Sequence, residues 1–274
     1  MQESFPILDD HFHISRRTGV GPSVIREFMR SGGTHIVLVS LPSRSHEIFP
    51  TQPDDFRPVF DELLETAKTV RAEGCVCYPI CGVHPAEIGK LCSRMSLGEA
   101  EALMCGALDV AAEYVAEGHA IGLKSGRPHY PVEPEVWDTS NRVLSHALTL
   151  AAELDCALQI HAESGACADV VDLAKAAGMN PARVVKHFAT CETPLHPSVT
   201  VREPFLAEWF REKREFTMES DYMDDLSRPG AVNGPRSVPR RMQRMLQEGS
   251  VTPEDMWRVH SAVPEKIYSV SFMV

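Results

Sequence analysis

Short runs of β-type residues alternate with longer amphipathic stretches along almost the whole chain, and no other feature constrains the fold as much. Strand candidates fall at residues 7–10, 35–40, 75–83, 120–124, 157–161, 183–188 and 215–219. Between them, apolar residues recur at helical spacing over 23–31, 56–73, 97–117, 134–154 and 166–177. Strands separated by helical crossovers point to a parallel sheet with helices outside it. Seven clear strands, with a short eighth near 198–201, predict a closed TIM-like (β/α) barrel in one domain spanning 1–274. An open doubly wound sheet is the rival, but no G-x-G-x-x-G loop follows a strand. The segment 189–201 holds Pro194 and Pro197 and is too short and broken for a full helix, so irregularity is expected around strands six to eight. Residues 229–239 read as a Pro- and Gly-rich loop, followed by helical patterns at 239–248 and 254–268. The last of these is preceded by Thr252, a helix-capping residue, and by Pro253 in the first turn.

Composition narrows the function classes. A formal charge of −11 disfavours a general role on duplex DNA, whose binding draws on Lys and Arg at phosphates. The basic run 236–244 keeps phosphate-bearing ligands open, although such a run is more often a solvated helix face. No stretch approaches the ~20 apolar residues of a membrane span, and the N-terminus lacks the pattern of a signal peptide. The eight cysteines sit mostly in apolar surroundings and fit free thiols in a reducing cytoplasm.

Chemistry-bearing residues gather at strand ends. In LDDHFHIS, alternation along a strand sends His11 and His13 to one face and Phe12 to the other, so the two imidazoles can chelate one ion. His161 ends the fifth strand candidate, His187 the sixth, and Asp221 follows the last. Each alone reads as a core histidine or a helix-capping aspartate. Together they form a set that structural needs do not explain, because barrel interiors favour branched apolar side chains. Such ligands suit zinc, or manganese, nickel or iron, better than calcium. Two ions would need a bridging anion from the protein, and Asp221 would orient a metal-bound hydroxide and take its proton.

H-x-H on the first strand, the histidines ending the fifth and sixth and the late aspartate resemble the amidohydrolase superfamily. GVHP at 82–85, IHAES at 160–164 and MESD at 218–221 resemble, more narrowly, an archaeal-type branch of the TatD-related metal-dependent hydrolases. The similarity runs from Asp10 to about Tyr268. It implies one metal on His11, His13 and Asp221 and a second on His161 and His187. The family's bridging ligand ends the fourth strand, where TatD proteins carry a glutamate in G-E-I-G-L-D. Here the segment reads HAIGLKSGRPHY and the glutamate is missing, with Lys124 in its place. In the phosphotriesterase and dihydroorotase branches a lysine on this strand takes up carbon dioxide, and its carbamate bridges the metals. Buried lysines lose their proton readily enough for that chemistry.

Weaker candidates surround this set. His84 is expected to face the site as a substrate contact or to support it from behind. Arg127, His129 and Tyr130 follow the lysine and could bind an anionic group, or could simply build a tight loop between Pro128 and Pro131. Glu163 and Glu219 are the alternatives to Lys124 as the bridge. Asp10 is expected to face away from the metals and orient a neighbour. The implied activity is metal-assisted hydrolysis of an ester, lactone, amide or phosphoester in a small-molecule substrate. A TatD-like phosphodiesterase or DNase and a non-catalytic metal-binding barrel are the rivals.

Overall fold

The computed structural model describes residues 5–227 and 233–273. Nine parallel strands form one sheet in the order β8-β7-β6-β5-β4-β3-β2-β1-β9. They are β1 (Leu8–His13), β2 (His35–Val39), β3 (Val76–Gly82), β4 (Gly122–Gly126), β5 (Ala157–His161), β6 (Val184–Ala189), β7 (His196–Thr200), β8 (Thr217–Glu219) and β9 (Tyr222–Met223). β8 and β9 are two halves of one path: after Glu219 the chain turns through Asp221, held at φ 51°, and Tyr222 then pairs with Phe12. Since β8 pairs with β7 and β9 with β1, the sheet closes on itself as an (β/α) barrel.

The long crossovers form where the sequence predicts them. Helix α1 (Ile25–Arg30) follows β1, and α2 (Arg57–Ala72) buries Val59, Phe60, Leu63, Ala67 and Val70, one face at helical spacing. A short α3 (Glu87–Leu91) precedes α4 (Leu97–Ala116), which starts at a capping box between Ser96 and Glu99. Helices α5 (Pro134–Glu153) and α6 (Val170–Ala176) flank β5. Between β6 and β7 the described chain crosses without a helix, as the prolines require, and α7 (Leu206–Arg211) was not legible from periodicity. Of the predicted loop at 229–239, residues 229–232 lie outside the described residues. Its end is already helical, because α8 (Ser237–Gln247) takes Pro239 into its first turn, where a missing N–H costs nothing. The last predicted helix is split into α9 (Pro253–Trp257), a π-turn (Arg258–Ala262) and α10 (Val263–Tyr268), with the Thr252–Asp255 capping box at its start.

Two kinds of core result. Between sheet and helices, Phe12, Phe28, Ile36, Leu38 and Leu158 belong to a large apolar cluster. Inside the barrel, Leu8, Val37, Ile80 and Val185 fill the N-terminal end, plugged from below by Ile267, Tyr268 and Phe272. Each fully buried side chain of this size contributes roughly 1.5–3 kcal/mol. Above this plug the interior turns polar.

Candidate metal centre

β1 carries the first two ligand candidates further along than predicted, within the strand itself. Its register against β2 slips between Asp9 and Phe12. A bulge of this kind re-aims side chains next to active sites. Asp10 therefore faces the interior as well, one layer below His11, and the expectation that it faces away is corrected. Its carboxylate accepts from Thr217 Oγ1 at 2.5 Å and Tyr268 Oη at 2.7 Å. Burial pushes its pKa up to about 7 despite these donors.

His13 Nδ1 lies 2.8 Å from the Val39 carbonyl, which can only accept, so Nδ1 carries the proton and Nε2 a lone pair. His11 Nδ1 meets Gln159 Oε1 at 2.7 Å. The Gln159 amide nitrogen is committed to the Asp10 carbonyl at 2.8 Å and Tyr268 Oη at 2.7 Å, which fixes its oxygen towards His11. His11 Nε2 is thus also a lone pair, and the two Nε2 atoms face each other at 3.1 Å. Lys124 Nζ stands 3.1 Å from His11 Nε2. Two buried imidazole lone pairs at this separation repel unless a proton or a cation lies between them, and the donor set fits a metal ion.

In the second pair one ring is fixed in the same way. His187 Nδ1 faces Glu219 Oε1 at 3.3 Å, leaving its Nε2 lone pair 2.7 Å from His161 Nδ1. The same Glu219 oxygen accepts the Phe188 N–H at 2.9 Å. Phe188 sits at φ 54° beside a register slip between β6 and β7. A second irregularity thus adjoins a ligand histidine. His11 stacks on His187 with ring centroids 4.0 Å apart, and Nε2 or Nδ1 atoms of both converge with an Asp221 oxygen within 4.8 Å.

Burial, then the Lys124 charge and neighbouring imidazoles, hold His11 and His161 well below the ordinary histidine pKa. His187 is held low by burial and then His11, and His13 is pushed down to about 3. All four are neutral near pH 7, the state that binds metal. Burial also lowers Lys124 to about 8, partly opposed by Asp221 and Glu219. Glu219 is driven well above the carboxylate range by burial and then by the Asp221 charge.

His84 lies at the cleft, its ring 4.6 Å from that of His161. Its Nδ1 accepts the Ala86 N–H at 3.1 Å, which leaves Nε2–H as a donor. His129 and Tyr130 also line the cleft, and His129 Nδ1 lies 2.6 Å from His161 Nε2. Arg127 does not line it. That side chain is buried, forked onto both Glu163 and Asp169, with its guanidinium 4.5 Å over Trp137. Its donors are spent within the protein, which corrects its assignment as a substrate contact. The same pairing occupies Glu163, and Glu219 is fixed behind His187, so neither alternative to Lys124 stands where Lys124 does. Glu87, at the start of α3, accepts the Ser43 N–H at 2.6 Å.

The cleft measures about 870 Å³, with Arg44, Lys90 and Asp225 at its rim. Sequence reasoning missed these lining residues, for which no signal exists, and Gln159, for which one does: it shares a strand face with His161. No described helix is long and apolar enough to cross a membrane.

Comparison with known proteins agrees with this geometry. An uncharacterized protein of Methanocaldococcus jannaschii, MJ1127, is 34% identical over 98% of this chain and 97% of its own. Among solved structures, an organophosphorus hydrolase from Deinococcus radiodurans is similar at TM-score 0.58 and 14% identity, covering 97% of this chain and 93% of its own. A lactonase template engineered for organophosphate hydrolysis is similar at TM-score 0.61 and 14% identity, covering 97% and 96%. At that identity these two speak for the fold alone. The profile of the TatD related DNase family matches residues 8–203. With strand-end histidines and Asp221 converging inside a closed barrel, the chain belongs to the TatD-related family and is a metal-dependent hydrolase.

Proposed function

We propose that the chain hydrolyses a small substrate bearing an ester, lactone, amide or phosphoester bond at a two-metal centre bridged through Lys124. The observation that carries this reading is the facing of two buried Nε2 lone pairs, on His11 and His13, with Lys124 Nζ beside them. His11, His13 and Asp221 would hold one ion and His161 and His187 the other, with zinc best suited to so many imidazoles. Such ions lower the pKa of bound water towards neutrality and polarise a carbonyl or phosphoryl oxygen.

The protein's own groups divide the remaining work. Asp221 takes the proton released from the attacking water. His84 Nε2–H donates to the substrate oxygen that gains charge. His129 and Tyr130 form the wall of the pocket. Arg44 and Lys90 draw in a substrate with an anionic group. Lys124, buried, would attack carbon dioxide through its neutral amine: a nitrogen–carbon bond forms as one carbon–oxygen π bond opens, a proton passes from the nitrogen to water, and the resulting carbamate shares one negative charge between two oxygens. An ammonium in the same place would repel both ions.

A second reading, cleavage of a phosphodiester in nucleic acid, is favoured by the description of the matching family. The net charge of −11 argues against duplex DNA as the substrate.

Metal analysis of the purified chain and of Lys124→Ala, with a panel of carboxylic esters, lactones, amides, phosphomonoesters and DNA, tests the proposal. Wild type should hold about two ions and lose turnover to a chelator, and Lys124→Ala should hold fewer. Full metal content in Lys124→Ala would remove the lysine from the centre. Metal without turnover on any substrate would favour a non-catalytic binding barrel.

A further inference from the structure

Tyr268 ends α10, outside the segment that the family profile matches, and reaches up through the plug into the polar layer beneath the histidines. As packing alone it needs no hydroxyl, since Phe272 and Ile267 fill the same end of the barrel. A buried hydroxyl destabilises unless it is hydrogen-bonded, and this one is bonded twice. Its Oη donates to Asp10 Oδ1 and accepts from Gln159 Nε2, each at 2.7 Å. The other Gln159 amide proton goes to the Asp10 carbonyl at 2.8 Å, and Gln159 Oε1 receives the His11 Nδ1 proton at 2.7 Å. An unbroken path of hydrogen bonds therefore runs from the C-terminal helix to the ring of a metal-ligand candidate. Without the Tyr268 hydroxyl, one Gln159 N–H and one Asp10 oxygen lose their partner in a site where Gln159 is fully buried. The amide would then gain freedom to turn away from His11.

We infer that Tyr268 is a positioning residue for the metal centre: through Gln159 it locks His11 in the Nδ1–H form, with Nε2 aimed at the ion. The inference rests on the metal-centre reading above. It makes the C-terminal helix part of the site, because that helix sets the orientation of a ligand whose strand lies at the other end of the chain. Partners of this kind behind metal-bound histidines are worth 10–100-fold in metal affinity.

Zinc titration against a chromophoric chelator, with the visible spectrum of the cobalt-substituted protein, tests it on Tyr268→Phe and on Phe272→Leu. Tyr268→Phe should weaken one zinc-binding step about 10–100-fold, leave the other in place and alter the cobalt spectrum. Phe272→Leu, which loosens the same plug beside the Tyr268 ring but removes no hydrogen bond of the path, should leave both steps unchanged. Should Tyr268→Phe fail to fold, Gln159→Leu severs the path one residue closer to His11 and carries the same expectation. Unchanged zinc affinity and spectrum in the folded variant would overturn the inference, and so would equal weakening in Phe272→Leu. Wild-type protein that takes up no zinc or cobalt would instead overturn the metal-centre reading itself, a result distinct from either.

Discussion

Asp221 occupies a backbone conformation that few residues tolerate, at φ 51° between the two halves of the closing strand. Asparagine is the other polar residue that visits this region readily, so Asp221→Asn removes the proton acceptor with little backbone strain. Turnover per bound metal, measured in zinc-saturated protein with metal content read on the same preparation, should fall about 10²- to 10⁴-fold. Wild-type rates in the variant would rule Asp221 out as the base. Other residues show how far single-residue reading reaches. His11, His13, His161, His187 and Asp221 are legible because their residue types recur at strand ends, where barrel packing does not call for them. The loss of Arg127 from the substrate contacts was not legible. Its partners Glu163 and Asp169 are 36 and 42 residues further on, and only folding brings them to it.

β4 shows how an element is built for its neighbour. Gly126 has φ +148°, and a Cβ there would stand 1.9 Å from the His161 carbonyl oxygen. The strand ending GLKSG is therefore glycine at the position opposite His161, which allows β4 to bring Lys124 alongside Gln159. Gly126→Ala should destabilise the protein by about 2 kcal/mol or more, read from urea unfolding. Gly98→Ala, at the start of α4 with nothing within 4 Å of the new methyl, should be neutral or slightly stabilising. Equal stability in the two variants would show that the β4–β5 contact can yield. Most elements were readable from periodicity, including the short β7 and the missing helix before it. The bulge in β1 and the ninth strand were not, because both arise from register with a partner strand rather than from local sequence.

At the scale of the whole molecule, the buried imidazoles of His11, His13 and His187, the half-buried His161, Lys124, Glu219 and Asp221 are concentrated at one end of a closed barrel whose other end is apolar. Such a cluster is held together against desolvation and mutual repulsion, and an ion that satisfies the lone pairs stabilises the fold it binds. Stripping metal with a chelator should therefore lower Tm by roughly 5–10 °C, and zinc should restore it. A Tm indifferent to the chelator in metal-loaded protein would speak against an ion bound by this cluster. Sequence alone determined that strands alternate with helical crossovers and that histidines and an aspartate collect at strand ends. Those patterns follow from local periodicity and from residue types that a barrel core does not need. Tertiary structure decided that Asp10 and Gln159 lie under His11, that Arg127 is spent on carboxylates, and that Tyr268 reaches the centre from the last helix. These depend on contacts between residues far apart in the chain, whose partners are chosen only when the barrel closes.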